Sequence, residues 1–284
     1  MPVNPVYATA VGASLSMFSL FRWNIRITGA EHVPRLGPGV LATNHVSYLD
    51  FIFAGVGARQ QGRRVRFVAK AEVFDHAVTG PLMRRMRHIR VERGGDTEAT
   101  MRAVSAALGE GDVVGMFPEG TISRSFVPLA GRPGAARMAI ENRVPLIPGA
   151  IWGSHRIFTK GHSFTPARGT AVSIDFGPPV AYEPDEDPLA VHERLMTAIG
   201  ELVDRAQRRY PQRPSGPGED WWLPAHLGGS APTPEEAAAT ARAEAAERRR
   251  RHGTDGGKGP GDDAGEGAEG PDADEGADGP DAGA

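Results

Sequence analysis

Residues 41–56 read LATNHVSYLDFIFAGV: a short apolar run, a break at Asn44-His45, and a second apolar segment from Tyr48. Val40, Leu41 and Ala42 have the character of the end of a buried strand, and the apolar density after Tyr48 is that of a helix packed on a core. The stretch therefore reads as a strand running into a helix, with a histidine at the junction. Together with the strand and helix patterns on either side, it predicts a single α/β domain. Its sheet is expected to be mixed and largely parallel, flanked by helices and followed by a disordered C-terminal tail.

Two readings of the junction compete. Ser47 is a good N-cap, and Ser47-x-x-Asp50 before an apolar run is a capping-box pattern, in which each side chain satisfies a free backbone N–H. The alternative has Asp50 reach back to the ring of His45, fix its tautomer and stabilise the imidazolium formed when the other nitrogen takes a proton. Spacing alone does not separate cap from catalytic partner.

Composition bounds the rest. A chain of 284 residues can bury a sizeable core. It has no cysteine, which excludes disulfides, thiolate metal sites and a cysteine-bound acyl intermediate, and fits a cytosolic or cytosol-facing protein. Of 32 basic residues only Lys70, Lys160 and Lys258 are lysines; arginine is the better partner for bidentate contact with phosphate or carboxylate. Ten acids against Lys258 in residues 253–284 split the net charge of −3 into −9 for the tail and +6 for the remaining 252 residues. A basic body suits an anionic ligand or membrane surface.

Residues 1–21 carry no charged side chain, and 6–23 are mostly small or apolar. As a helix the latter segment would be about 26 Å long, short of the ~30 Å hydrocarbon core. With Phe18, Phe21 and Trp23 beside Arg22 it reads as a helix lying in or dipping into one leaflet, with a soluble helix docked on the core as the competing reading. It lacks the basic start of a cleaved signal peptide.

Strands are expected at 24–28, 63–70, 89–91, 112–117, 146–152 and 171–176, besides the one leading to His45. Helices are expected at 72–86, broken at Gly80-Pro81, and at 133–142 and 189–209, with another running from a cap at Asp96 to Leu108. The basic run 84–95 is a solvated face except for Arg93, which stands at a strand end before two glycines, where an arginine can meet a phosphate. The strand DVVGMF ends in Pro118-Glu119-Gly120-Thr121-Ile122-Ser123-Arg124, a second polar cluster at a strand end, and strand ends are where α/β folds place their sites. His155, Arg156, Lys160 and His162 read as basic surface near a headgroup.

By composition the organisation is 1–23 an apolar membrane-associating segment, 24–210 the domain, 211–232 a linker, 233–252 an Ala/Glu/Arg helix and 253–284 an acidic disordered tail. Thr233-Pro234-Glu235-Glu236 starts that helix with a Thr N-cap, Pro at the first position and Glu at the third.

Asn44-His45-x4-Asp50, Val91-Glu92-Arg93-Gly94, Phe117-Pro118-Glu119-Gly120-Thr121 and Val144-Pro145-Leu146-Ile147-Pro148 resemble, in order, the four blocks of the glycerolipid acyltransferase family. Its best-known members are the 1-acylglycerol-3-phosphate acyltransferases. The resemblance covers roughly residues 20–210. Where the family's third block often has arginine directly after Glu-Gly-Thr, this chain has Ile122, with Arg124 two places later. The resemblance implies that Arg93 meets the acceptor phosphate and that Glu119, Gly120, Thr121 and an arginine such as Arg124 form the acceptor site.

The chemistry fits the residues on its own terms. An alcohol needs a base to become a nucleophile, and neutral histidine serves near pH 7. A thiol of pKa about 8.5 leaves without a strong general acid. His45 as base, oriented by Asp50, would therefore suffice to move an acyl group from a thioester to a hydroxyl. The expected partners are acyl-CoA or acyl-carrier protein as donor, a lysophospholipid acceptor and an anionic membrane surface, with no nucleic acid, no metal and no bound cofactor. The expected location is the cytoplasmic face of the cell membrane. Alternatives are another lysophospholipid or phosphate-free acceptor, or a peripheral membrane-binding protein without catalysis. A hydrolase is disfavoured, since no Gly-x-Ser-x-Gly elbow occurs.

Overall fold

Apolar runs of four to seven residues are too short for core helices and become strands. The computed structural model describes residues 5–77, 79–92, 97–216 and 218–255, and among these seven strands form one sheet. They are β1 (Asn24–Thr28), β2 (Gly39–Thr43), β3 (Val65–Lys70), β4 (Ile89–Val91), β5 (Val113–Met116), β6 (Leu146–Trp152) and β7 (Ala171–Phe176), in the order β1-β7-β6-β2-β5-β3-β4. The β6–β7 pair is antiparallel and the others are parallel. In register, Leu41 of β2 faces Gly115 of β5 on one side and Ile147 of β6 on the other.

Every residue of β2 and β6 is buried, as expected of central parallel strands covered on both faces, which explains their near-continuous apolar sequences. Alternate residues point to opposite faces. Leu146, Ala150 and Trp152 join a core with Val104, Met138 and Leu195, whereas Ile147 and Ile151 join one with Phe18, Phe53 and Ile174. The first core is covered by α5 (Thr97–Gly109), α6 (Gly134–Asn142) and α7 (Pro188–Arg208), the second by α1 (Pro5–Leu20) and α2 (Asp50–Ala58). Two short helices, α3 (Ala71–Asp75) and α4 (Thr79–Arg85), follow β3.

Several boundaries differ from expectation. The helix after His45 begins at Asp50, because Ser47 to Leu49 form a turn held by side chains. The expected break at Gly80-Pro81 falls instead between α3 and α4, and Pro81 lies in the first turn of α4, where a missing N–H costs little. Asp96, Arg93 and the Gly94-Gly95 turn lie outside the described residues.

Residues expected to form a linker are packed: Trp222 is buried and belongs to the first core together with Tyr210 and Ala231. Proline and glycine on either side give that stretch a linker's composition, but two tryptophans supply enough apolar surface to dock it.

Contacts divide the chain into Met1–Ala238 and Ala239–Ala284. Helix α8 (Pro234–Asp255) starts in the first unit with a complete capping box: Thr233 Oγ1 accepts from the Glu236 N–H at 3.2 Å, and Glu236 Oε2 accepts from the Thr233 N–H at 2.9 Å. The acidic segment beyond Asp255 lies outside the described residues.

Candidate active site

Strands β5, β2 and β6 are adjacent and parallel, so their carboxyl ends open on one edge of the sheet, and the chain leaves β2 with later strands placed on both sides of it. Such a switch point leaves a crevice above the strand ends. Three loops enter it: 44–49 after β2, 117–129 after β5 and 153–162 after β6.

Asn44, fully buried, fixes the first loop by extending the sheet with its side chain. Its Nδ2 donates to the Ile151 carbonyl at 3.1 Å and its Oδ1 accepts from the Ile151 N–H at 2.7 Å. His45 follows, held at both backbone groups by the second loop. Its N–H donates to Glu119 Oε1 at 2.7 Å, and its carbonyl accepts from the Ser123 N–H at 2.8 Å. The ring stacks on Phe117, with centroids 4.0 Å apart and 12° between planes.

Asp50 is fully buried and accepts four hydrogen bonds. Its Oδ2 takes His45 Nδ1 at 3.0 Å and the N–H groups of Val46 and Ser47 at 2.7 Å each, and its Oδ1 takes the Ser154 hydroxyl at 2.6 Å. Cap and catalytic-type partner are thus the same carboxylate. Half of the predicted capping box forms, since Asp50 accepts from Ser47 N–H, but Ser47 Oγ accepts from Leu49 N–H and donates to the Phe158 carbonyl. Because an aspartate carboxylate only accepts, Nδ1 of His45 carries the proton and Nε2 of the neutral ring is the acceptor. The His45 side chain keeps 19% of its surface exposed. A base with its lone pair toward solvent and its other nitrogen on a carboxylate can remove a proton from a hydroxyl.

Glu119 is buried, and its Oε2 accepts from the Leu129 N–H at 3.0 Å, so both oxygens hold backbone. It braces His45 against the loop. Burial pushes its carboxyl up to about 8, against the opposing effect of the Leu129 and His45 N–H bonds. Gly120, exposed at φ +65°, makes the turn after it. Thr121 and Arg124 are half-buried, and Ile122 is buried. Arg124 faces the third loop: its Nη1 would lie 3.1 Å from a Cβ on Gly161, and its charge adds to partial burial in holding His162 below the usual range. The structure therefore brings His45, Asp50 and Glu119 together, while Arg93 lies outside the described residues.

His155, expected on the surface, is fully buried. It sits between Phe126 and Trp152, each 4.4 Å away by ring centroid, and its Nε2 donates to the Trp222 carbonyl at 2.9 Å. Burial drives its pKa down to about 3. Arg156 is likewise half-buried, lying over the Trp222 ring at 4.4 Å. His155 and Arg156 were misread because their polar letters conceal packing by Trp222 from far along the chain, whereas His162 is exposed as expected. In the basic run, Arg87 and Arg90 form the expected solvated face, paired with Glu110 and with Asp75 and Glu92.

Ser154 was not singled out from sequence, and Phe117 was named only as part of its block, yet both touch the His45–Asp50 pair. Their signal was present: both follow strand ends, as His45 does. Gly153, at φ +94°, allows the turn that delivers Ser154, since a Cβ there would lie 2.2 Å from the Ala171 carbonyl oxygen.

A cleft of about 600 Å³ opens between α1, α2, β3 and α4, lined by groups such as Val6, Met17, Ile52, Val65 and Leu82. Phe67, in its wall, stacks on Phe117 at 5.6 Å, so two rings link the cleft to His45. Among the described residues no His, Asp or Glu cluster is placed to hold a metal ion.

Comparison with known proteins agrees with this fold. A family model described as Acyltransferase matches residues 24–152. The chain is 28% identical to a Bacillus subtilis 1-acyl-sn-glycerol-3-phosphate acyltransferase, over 52% of this chain and 74% of that protein. It is 29% identical to the Bos taurus 1-acyl-sn-glycerol-3-phosphate acyltransferase alpha, over 70% of this chain and 72% of that protein. The crystal structure of a 1-acyl-sn-glycerophosphate acyltransferase from Thermotoga maritima shares the fold, with a TM-score of 0.56 and 21% identity over 69% of this chain and 77% of that one. With the four blocks in order and the matched fold beneath them, the chain is similar to the glycerolipid acyltransferases and is an O-acyltransferase.

Proposed function

We propose that the protein transfers a fatty acyl group from an acyl thioester to the free hydroxyl of lysophosphatidic acid, giving phosphatidic acid for phospholipid synthesis. The observation that carries this reading is the His45–Asp50 pair, with Nδ1 on a buried carboxylate and Nε2 on the open side of the ring. His45 Nε2 removes the hydroxyl proton and the oxygen attacks the thioester carbonyl. The tetrahedral intermediate collapses with cleavage of the C–S bond, and the thiolate leaves with the proton held on His45. Asp50 holds the ring and stabilises its cationic form. Arg93, Gly120, Thr121 and Arg124 receive the acceptor's headgroup, and Glu119 keeps their loop in register with His45. The cleft beside Phe67 takes the apolar chain, its volume lying within the ordinary range of ligand pockets.

The donor is acyl-CoA or acyl-carrier protein, and the site of action is the cytoplasmic face of the cell membrane. Support for a membrane location is the uncharged α1, whose Leu15 and Leu20 are exposed. No helix among the described residues is long and apolar enough to cross a bilayer, and α1, whose Tyr7 and Phe18 are buried, would meet lipid through its exposed side.

A second reading, another lysophospholipid as acceptor, is favoured by Ile122, whose burial leaves no cation at the position following Thr121. Thiol release from a long-chain acyl-CoA, with and without lysophosphatidic acid, tests both. Release that requires this acceptor and vanishes in His45→Ala supports the first. Release with a different lysolipid alone supports the second, and silence with every acceptor and both donor types defeats both.

A further inference from the structure

The loop at 157–168, IFTKGHSFTPAR, joins β6 to β7 and lies in a stretch without acid: no Asp or Glu occurs between Arg143 and Ile174, and none before Glu31. One end of the loop is fastened to the turn that carries His45. The Phe158 carbonyl accepts from the Tyr48 N–H at 3.2 Å and from the Ser47 hydroxyl at 2.6 Å, and Thr159 Oγ1 donates to the Val46 carbonyl at 2.6 Å. Its other end is fastened to the exit of α1. The Gly169 N–H donates to the Phe21 carbonyl at 2.9 Å, and Trp23 Nε1 donates to the Ala167 carbonyl at 3.0 Å.

Along this bridge runs an aromatic ridge. The Tyr48 and Phe158 rings are 4.7 Å apart and the Phe158 and Phe164 rings 5.8 Å. Tyr48 is 45% exposed, Phe164 47%, and Leu20 at the end of α1 68%. Arg22 and Arg168 are exposed beside it and Lys160 is half-buried. Aromatic rings with cations at hand suit the headgroup layer of a membrane, where one side of the ring is apolar and the other wet.

We propose that this ridge is a second lipid contact beside α1. Tyr48, Phe158 and Phe164 seat in the headgroup layer of an anionic phospholipid bilayer, with Arg22, Lys160 and Arg168 against its phosphates. The proposal rests on the membrane location given above and adds which face meets the lipid. Charge selects the occupant: a second copy packed two-fold on the ridge would set these cations against one another, whereas an anionic bilayer neutralises them. Because the ridge begins three residues from His45, docking brings the catalytic turn to the lipid surface.

Flotation of the full chain with phosphatidylcholine vesicles, with and without phosphatidylglycerol, tests this, using no donor or acceptor so that the result is independent of acyl transfer. Phe164→Ala is expected to lower the partition coefficient about tenfold. Arg168→Glu is expected to lower it several-fold, and only where phosphatidylglycerol is present. Leu36, 88% exposed before β2 at the opposite edge of the sheet, serves as control, and Leu36→Ala should leave partition and melting temperature unchanged. If wild type fails to float, the membrane location itself falls, and the ridge with it. If wild type floats and Phe164→Ala partitions within about twofold of it, or Leu36→Ala loses as much, the ridge alone is overturned. A switch from dimer to monomer in Phe164→Ala at unchanged partition would likewise overturn it, in favour of a second copy.

Discussion

His45 and His155 occupy matching places, each within three residues of the carboxyl end of a central strand, β2 or β6, yet the fold has made them opposites. His45 meets a carboxylate at Nδ1 and keeps part of its ring in solvent. His155 meets a carbonyl at Nε2, has aromatic rings around it and is driven to a pKa of about 3. One can carry a proton between substrates, and the other cannot take one up at neutral pH. The difference comes entirely from the neighbours, since residue type and strand-end position are shared.

His45→Ala should cut kcat about 10³-fold while leaving the melting temperature within a few degrees, which thiol-release kinetics and a thermal scan would check together. Asp50→Asn should cost about 10²-fold or more in kcat, because the ring loses its orienting acceptor. Full turnover with a lowered melting temperature would reduce Asp50 to a cap and weaken the contrast. Ser154→Ala, which leaves Asp50 Oδ1 without its hydroxyl donor, should lower kcat about five- to tenfold with KM unchanged. Ser154→Thr, keeping the hydroxyl, should recover part of it if the cavity admits the methyl.

At the other histidine, His155→Phe should leave turnover per folded molecule intact. It should cost about 1–2 kcal/mol of stability at pH 7, because the Trp222 carbonyl loses its donor. The pH dependence gives the same contrast a sign. His155, and His88 at about 4, are held below their unfolded value by burial. The stability linked to their neutral forms is therefore present above roughly pH 6.5 and is lost as pH falls toward the folded values. Between pH 7 and 5 the melting temperature of His155→Phe should fall less steeply than that of wild type, the opposing contribution of Glu119, whose pKa is raised, being common to both.

The parts of this molecule legible in its sequence were those whose physics is local. β6 was readable to the residue because a strand buried on both faces must be apolar throughout. The capping box at Thr233 needs only its own four residues. The His45–Asp50 turn was legible as an ambiguity, resolved when one carboxylate proved to serve both purposes. Contacts made across long stretches of chain stayed hidden. Ser154 reaches Asp50 across 104 residues and Asn44 reaches Ile151 across 107. His155 and Arg156 were taken for surface because nothing nearby announces the tryptophan that covers them. Glu119 entered the acceptor site only through the resemblance, and its hold on the His45 and Leu129 N–H groups, 74 and 10 residues away, was not readable from its own stretch.

The span of those bonds also sets an order in time. Chains emerge from the ribosome N-terminus first, so the catalytic turn appears early with Asp50 lacking the hydroxyl that completes its acceptor set. Ser154 arrives after β6, and the Trp222 carbonyl that anchors the neighbouring imidazole arrives 67 residues after His155. Bonds this distant in sequence form late in folding because their loops must close first. The nascent chain therefore carries its base and carboxylate well before Ser154 has emerged to complete the acceptor set of Asp50.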